Sequence, residues 1–144
     1  MPRPALVLGF AGLIPFLAGV GGVWALGYPD FILVLNLTMA YAAVILAFLG
    51  AVHWGLALAQ EAAGNWRRLV PAVLPALAGW VALMLPNAFG LLLLAIGYAG
   101  VFLADRAAIT ANRAPAWYKA LRKPLTLVVL ASLAACYAAL AVRA

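Results

Sequence analysis

Long apolar runs separated by short polar gaps set the frame of this chain. Five runs stand out, over residues 4–26, 31–59, 69–85, 88–104 and 124–142. Each reaches or exceeds the roughly 17–25 residues that carry an α-helix across the hydrocarbon layer of a bilayer. The pattern predicts an all-α, polytopic integral membrane protein, a single transmembrane domain over residues 1–144 built as a five-helix bundle. The second run is long enough to tilt or to continue into the interface. The third and fourth are short and joined by Leu85-Pro86-Asn87-Ala88, turn chemistry that makes them an antiparallel hairpin. Such a hairpin either crosses fully or re-enters, and the direction of the other spans is the same in both cases. Residues 105–123 form the longest polar stretch and read as a basic loop.

Composition agrees with this frame. Of 144 residues, 69% are hydrophobic and 8% charged, with a mean hydropathy of +1.15, against about 25% charged residues in an ordinary soluble domain. The net charge of +6 could suggest nucleic acid, but the cations lie in gaps between apolar runs rather than along one helix face. No nucleic-acid partner is expected. The first run is too long for the 7–15-residue apolar region of a secretory signal, and Pro15 interrupts it, so it is read as a retained span.

The cations alternate. Arg3 precedes the first run, Arg67 and Arg68 separate the second from the third, and Arg106, Arg113, Lys119, Arg122 and Lys123 separate the fourth from the fifth. The other gaps hold no Lys or Arg, and only Arg143 falls on the opposite side. Lys and Arg accumulate on the cytoplasmic side of membrane proteins. The N-terminus is therefore expected in the cytoplasm and the C-terminus outside, in a bacterial cytoplasmic membrane.

Two features of the second run bear on function. Ala43, Ala47, Ala51, Gly55 and Ala59 recur at every fourth position, a small-residue ridge of the kind that lets helices approach closely in lipid. His53 is the single histidine and lies seven residues before Gln60, about 10 Å into the apolar layer. Ionisable groups at such depth usually face a bundle interior or a wet cavity. The fourth run points in the same direction as the second, and Tyr98 lies seven residues before Asp105, so Tyr98 is expected to share the level of His53, with Gln60, Glu61 and Asp105 forming a polar rim below. A cytoplasm-facing pocket around His53, Trp54, Gln60, Trp80, Tyr98 and Asp105 is one reading; a structural hydrogen bond from a neutral His53, or proton handling, are the others.

In the polar loop, Trp117 and Leu121 share one side of a short helix, Tyr118 and Arg122 lie alongside, and Lys119 and Lys123 take the wet face. With Arg113, the residues Trp117, Tyr118, Lys119, Arg122 and Lys123 suit contact with lipid headgroups. Anchoring of the last span and docking of a partner protein are the alternatives. One His and one Cys leave no ligand set for haem or zinc, and no phosphate loop, dinucleotide fingerprint or Ser–His–Asp pattern is present. No cofactor, metal or catalysis is expected.

The segment Tyr41–Leu58, with its Gly50-Ala-Val-His53-Trp54-Gly55 core, the late Pro115-Ala-Trp117-Tyr118-x-x-Leu121-Arg122-x-Pro124 string and the opening Gly12–Phe16 resemble the domain of unknown function 3429. That family comprises small bacterial membrane proteins related to the mitochondrial transmembrane protein 69. The resemblance implies the same membrane architecture and carries no activity. A lesser likeness is to the tryptophan-rich sensory proteins, whose Trp-Tyr-x-x-Leu-x-Lys-Pro string is similar to residues 117–124. There it follows the first span and here it precedes the last, so it brings no ligand residues with it.

Two functions remain: an accessory, assembly or scaffold protein acting through helix packing, with a membrane-protein partner or a second copy, or a binder of a small hydrophobic or amphipathic ligand beside His53. The orientation is directly testable. A reporter fused after Ala144 is expected to respond on the periplasmic side, and a cytoplasmic response reverses the assignment.

Overall fold

The computed structural model describes residues 2–143. Six helices follow one another: α1 (Arg3–Ala11), α2 (Ile14–Ala25), α3 (Asp30–Ala59), α4 (Trp66–Met84), α5 (Asn87–Thr110) and α6 (Ala116–Arg143). With α1 and α2 taken as one interrupted span, five segments are long and apolar enough to cross a membrane. In space α2, α3, α4, α5 and α6 form a ring, closed by α6 against α2, and α3 also touches α5 across the middle. α1 is held chiefly by α6.

The first span breaks because Pro15 has no N–H and its ring crowds the preceding turn. At the break the Gly12 carbonyl accepts a hydrogen bond from the Tyr41 hydroxyl at 2.9 Å, which supplies a partner to a backbone group that an apolar layer would leave bare. The Tyr41 ring meets Phe16 edge to face at 5.3 Å between centroids.

Two boundaries at the basic end differ from those expected. α5 runs on through Thr110, six residues past the anticipated end, and α6 starts at Ala116 and passes straight through Pro124. The 105–123 loop thus shrinks to residues 111–115. Charged side chains do not end a helix; caps do. Asn112 adopts a left-handed φ of 58°, and Arg113 N–H donates to the Ala108 carbonyl at 2.8 Å, a Schellman closure. α3 ends the same way, with Glu61 at φ 55° and Ala62 N–H donating to Ala57 at 2.7 Å.

The tightest seam joins α3 to α4. A Cβ on Gly50 would lie 2.6 Å from the Ala72 carbonyl oxygen, and one on Gly79 would lie 3.0 Å from that of Ala43. The seam is therefore Ala43 and Gly50 on α3 against Ala72, Pro75 and Gly79 on α4. This corrects the four-residue ridge. A spacing of four overshoots the 3.6-residue turn by about 40° per step, so the row winds around the helix. Ala43 is buried and Ala47 half-buried, whereas Ala51, Gly55 and Ala59 are exposed. Spacing by seven, from Ala43 to Gly50 to the buried Ala57, drifts only about 20° and stays inside.

At the end of the bundle away from the cation-rich loops, Arg143 caps α2. It donates to the carbonyl oxygens of Val23, at 2.9 Å, Trp24 and Leu26, and its guanidinium lies over the Phe31 ring. Trp24 Nε1 adds a bond to the Ala135 carbonyl at 3.1 Å.

The seam gives a sharp contrast. Gly50→Leu pushes against the Ala72 carbonyl and the rigid Pro75 ring and is expected to cost about 1–3 kcal/mol or more, as overpacking does. Gly55→Ala meets nothing within 4 Å and should leave the melting temperature in detergent unchanged or slightly raised, since Ala favours a helix interior over Gly. Equal melting temperatures for the two variants would contradict this packing.

Candidate functional site

At the basic end of the bundle, three helices meet on one carboxylate. Asp105, on α5, is 1% exposed. It stands on the inward face of α5, one and two turns on from Val101 and Tyr98. Its Oδ1 lies 2.7 Å from His53 Nε2 on α3, and its Oδ2 accepts from Arg122 Nε on α6 at 3.0 Å. An ionised carboxylate only accepts, so Nε2 is the proton-bearing nitrogen in this pairing. Arg122, 5% exposed, also donates through Nη2 to Thr126 Oγ1 at 3.1 Å, one turn along α6.

Electrostatics explains the geometry. A lone carboxylate in an apolar interior is costly, and carboxylates inside membrane segments usually pair or face water. Here both oxygens are engaged, one by a permanent cation and one by an imidazole N–H. The pair lies inside a bundle whose basic end carries eight Lys or Arg residues against two acids, Glu61 and Asp105. The opposite end balances Arg143 against Asp30.

Several expected partners are elsewhere. Tyr98 does not share the level of His53: that place is taken by Asp105, and Tyr98, about two turns earlier on α5, spends its hydroxyl on the Ala42 carbonyl at 2.6 Å. Trp54 and Trp80 both point largely outward. Trp54 follows His53, about 100° around the helix, and is 40% exposed; Trp80 follows the inward Gly79 and is 62% exposed. Gln60 ties the surface together, donating to the Arg113 carbonyl and accepting from Arg68 Nη2, both at 2.8 Å. Of the residues assigned to headgroups, Lys119 and Lys123 are exposed and Arg113, Trp117 and Tyr118 half-buried. Arg122 is the exception. α6 is continuous there, and its inward row of Leu121, Leu125, Thr126 and Val129 carries Arg122 inside.

Asp105 and Arg122 were the pair that sequence reasoning separated, by placing both in a soluble loop. Helical spacing from Tyr98 to Asp105 and from Arg122 to Thr126 was the available signal.

Beside the cluster lies a cavity of about 380 Å³ between α1, α3 and α6. Leu8 and Phe48, both largely exposed, flank its mouth, Phe16 and Val129 its far end, and Trp117, Tyr118 and Arg122 its basic end. α1 leans on α6 and makes little contact with α3, which leaves the exposed Leu8 and Phe48 at the cavity's edge on the flank of the bundle. Among the described residues no group of three His, Cys, Asp or Glu side chains is placed to hold a metal ion.

The fold and this site define a five-span helical membrane protein with a charged cluster buried at one end. The chain belongs to the family described as Protein of unknown function (DUF3429), whose model matches residues 1–138. It is 39% identical over 140 residues to Transmembrane protein 69 of Xenopus tropicalis, covering 92% of this chain and 53% of that protein. With Transmembrane protein 69 of Mus musculus it shares 35% over 136 residues, covering 91% and 54%. The chain thus spans about half the length of the curated relatives it matches. No solved structure matches it.

The cluster predicts a non-additive pair. Asp105→Asn leaves the Arg122 charge buried without its counter-ion, a change that costs about 3–5 kcal/mol in comparable settings. Adding Arg122→Met should restore much of the lost thermal stability. If the double variant loses the sum of the two single losses, the two side chains are not coupled.

Proposed function

We propose that this protein binds a small apolar or amphipathic molecule, taken up sideways from the bilayer into the cavity between α1, α3 and α6. The observation that carries this reading is the cavity itself. Its 380 Å³ is of ligand size, within the roughly 300–1,000 Å³ of small-molecule sites, and such sites pair an apolar lining with a few placed polar groups. Here the polar groups sit at one end, beside Asp105, His53 and Arg122. The site adjoins His53 and is walled by Phe16, Phe48 and Trp117 rather than by Trp54 and Trp80. With eight of nine cations at that end, the positive-inside tendency puts it at the cytoplasmic face of a bacterial inner membrane.

A scaffold role is the second reading, favoured by the outward Ala51, Gly55 and Ala59 on α3. These small residues leave room for another helix, from a second copy or another membrane protein, to approach. It calls for a stoichiometric partner retained in mild detergent.

Binding is tested with 1-dodecanol and native mass spectrometry of the detergent-solubilised protein. The expected result is a saturable one-to-one adduct. Val52→Phe, which adds bulk to a lining position, should weaken it at least tenfold. An adduct equally abundant in the variant, or none in either protein, overturns the cavity as the site.

A further inference from the structure

The polar end of the cavity holds two donors that the protein itself does not use. Arg122 commits Nε to Asp105 and Nη2 to Thr126, which leaves Nη1 without a hydrogen-bond partner among the described residues. The Tyr118 hydroxyl likewise has none. Neither atom is sealed off: among the described residues the one enclosed side-chain nitrogen or oxygen lacking a partner is Arg113 Nε, so Nη1 and the hydroxyl keep accessible surface, and both residues line the cavity. The two residues are four apart on α6, neighbours on one helix face.

Burying an arginine beside a cavity while leaving one nitrogen free is costly unless something meets it. The surrounding charge says what kind of group that is. Asp105 offsets one cation within the cluster, but the basic end as a whole carries six positive charges in excess when His53 is neutral, a potential that draws anions. The rest of the lining is hydrocarbon and aromatic ring. From Trp117 to Val129 it follows twelve residues of α6, about 18 Å, a slot rather than a sphere. Its mouth, between Leu8 and Phe48, faces the acyl-chain region.

We infer that the cavity takes a single-chain amphiphile with an anionic head, the head accepting hydrogen bonds from Arg122 Nη1 and the Tyr118 hydroxyl and the tail lying toward Phe16 and Val129. The inference rests on the cavity being a binding site and adds to it the ligand's charge and shape. Arg122 holds Asp105 from one side of its guanidinium and the ligand head from the other. The buried ion pair is thereby also the positioning device for the anion donor, since Asp105 and Thr126 fix the plane of the guanidinium. A carboxylate and a phosphate monoester offer the same acceptor chemistry, from a free fatty acid or a lysophospholipid-like lipid.

The test compares four twelve-carbon probes on the full-length protein in nanodiscs of neutral lipid: dodecanoate, dodecyl phosphate, 1-dodecanol and dodecyltrimethylammonium. The expected order is an anion, at least tenfold tighter than the alcohol, with the cation weakest. Whichever of the two anions binds tighter identifies the head. Tyr118→Phe, which removes one hydroxyl and keeps the ring, should weaken the anion three- to tenfold and leave the alcohol unchanged. Arg122→Gln should bring the anion down to the level of the alcohol. If Arg122→Gln does not fold, the probe series and Tyr118→Phe still decide. Equal affinity for anions and alcohol, with both lost in Val52→Phe, overturns the anionic head and leaves the cavity standing. Failure of all four probes to bind overturns both. An anion preference that survives Tyr118→Phe and Arg122→Gln unchanged assigns it to the surface field and overturns the docking on these two residues.

Discussion

A carboxylate enclosed by apolar helices has few acceptable surroundings, and the position of Asp105 constrains much of the basic end of this bundle. Its two oxygens draw His53 from α3 and Arg122 from α6, so three spans are pinned at one level. In a soluble protein a misplaced charge can turn to water; within an apolar layer that escape is largely closed. The geometry that pairs both oxygens fixes α5 against α6 across the short 111–115 connection and holds α3 against α5. Thr126 and the turn of α6 hold the guanidinium in place. A pairing of this kind adds little stability over a well-packed apolar alternative. Its effect is to make other registers of these three helices unfavourable.

The architecture was legible in the sequence because membrane helices are long and apolar: the spans at residues 31–59 and 88–104 fall within α3 and α5. Their polar ends were not. Asp105, Arg106 and the 116–123 segment are hydrophilic by composition, and hydropathy assigns such residues to loops. In the folded chain, cap geometry at Asn112 decides where α5 stops, and helical phase decides that Asp105 and Arg122 turn inward while Lys119 and Lys123 turn out. Trp54 and Trp80 show the converse error. Aromatic size made them attractive as pocket walls, but each follows an inward residue and is carried outward by the helical step. The ridge on α3 failed for a related reason: a repeat of four is close to the turn but not equal to it, and the difference accumulates over the length of a helix.

Glycine placement carries the rest of the packing. Gly50 and Gly79 bring α3 and α4 together backbone to backbone, and this contact draws α3 to the α4 side of the ring. On the other flank α2 covers the outer half of α3, while α1, offset by the break at Gly12, does not cover the inner half. The side opening between α1 and α3 is therefore a product of the interrupted first span. Tyr41 stabilises that interruption from α3 by satisfying the Gly12 carbonyl, so the break and the cavity beside it are parts of one arrangement.

The ring is closed by contacts between its first and last spans. Arg143 grips the carbonyls ending α2, Trp24 bonds to Ala135 on α6, and Gly9 of α1 rests near Leu121 and Leu125. During synthesis the first span leaves the ribosome long before α6 exists. Until then α1 lacks its main partner, and the carbonyls at the end of α2 lack their cap. The bundle consequently completes itself only when the fifth span has entered the membrane, and a nascent chain halted before that point exposes an unfinished seam that lipids or an insertion chaperone must shield.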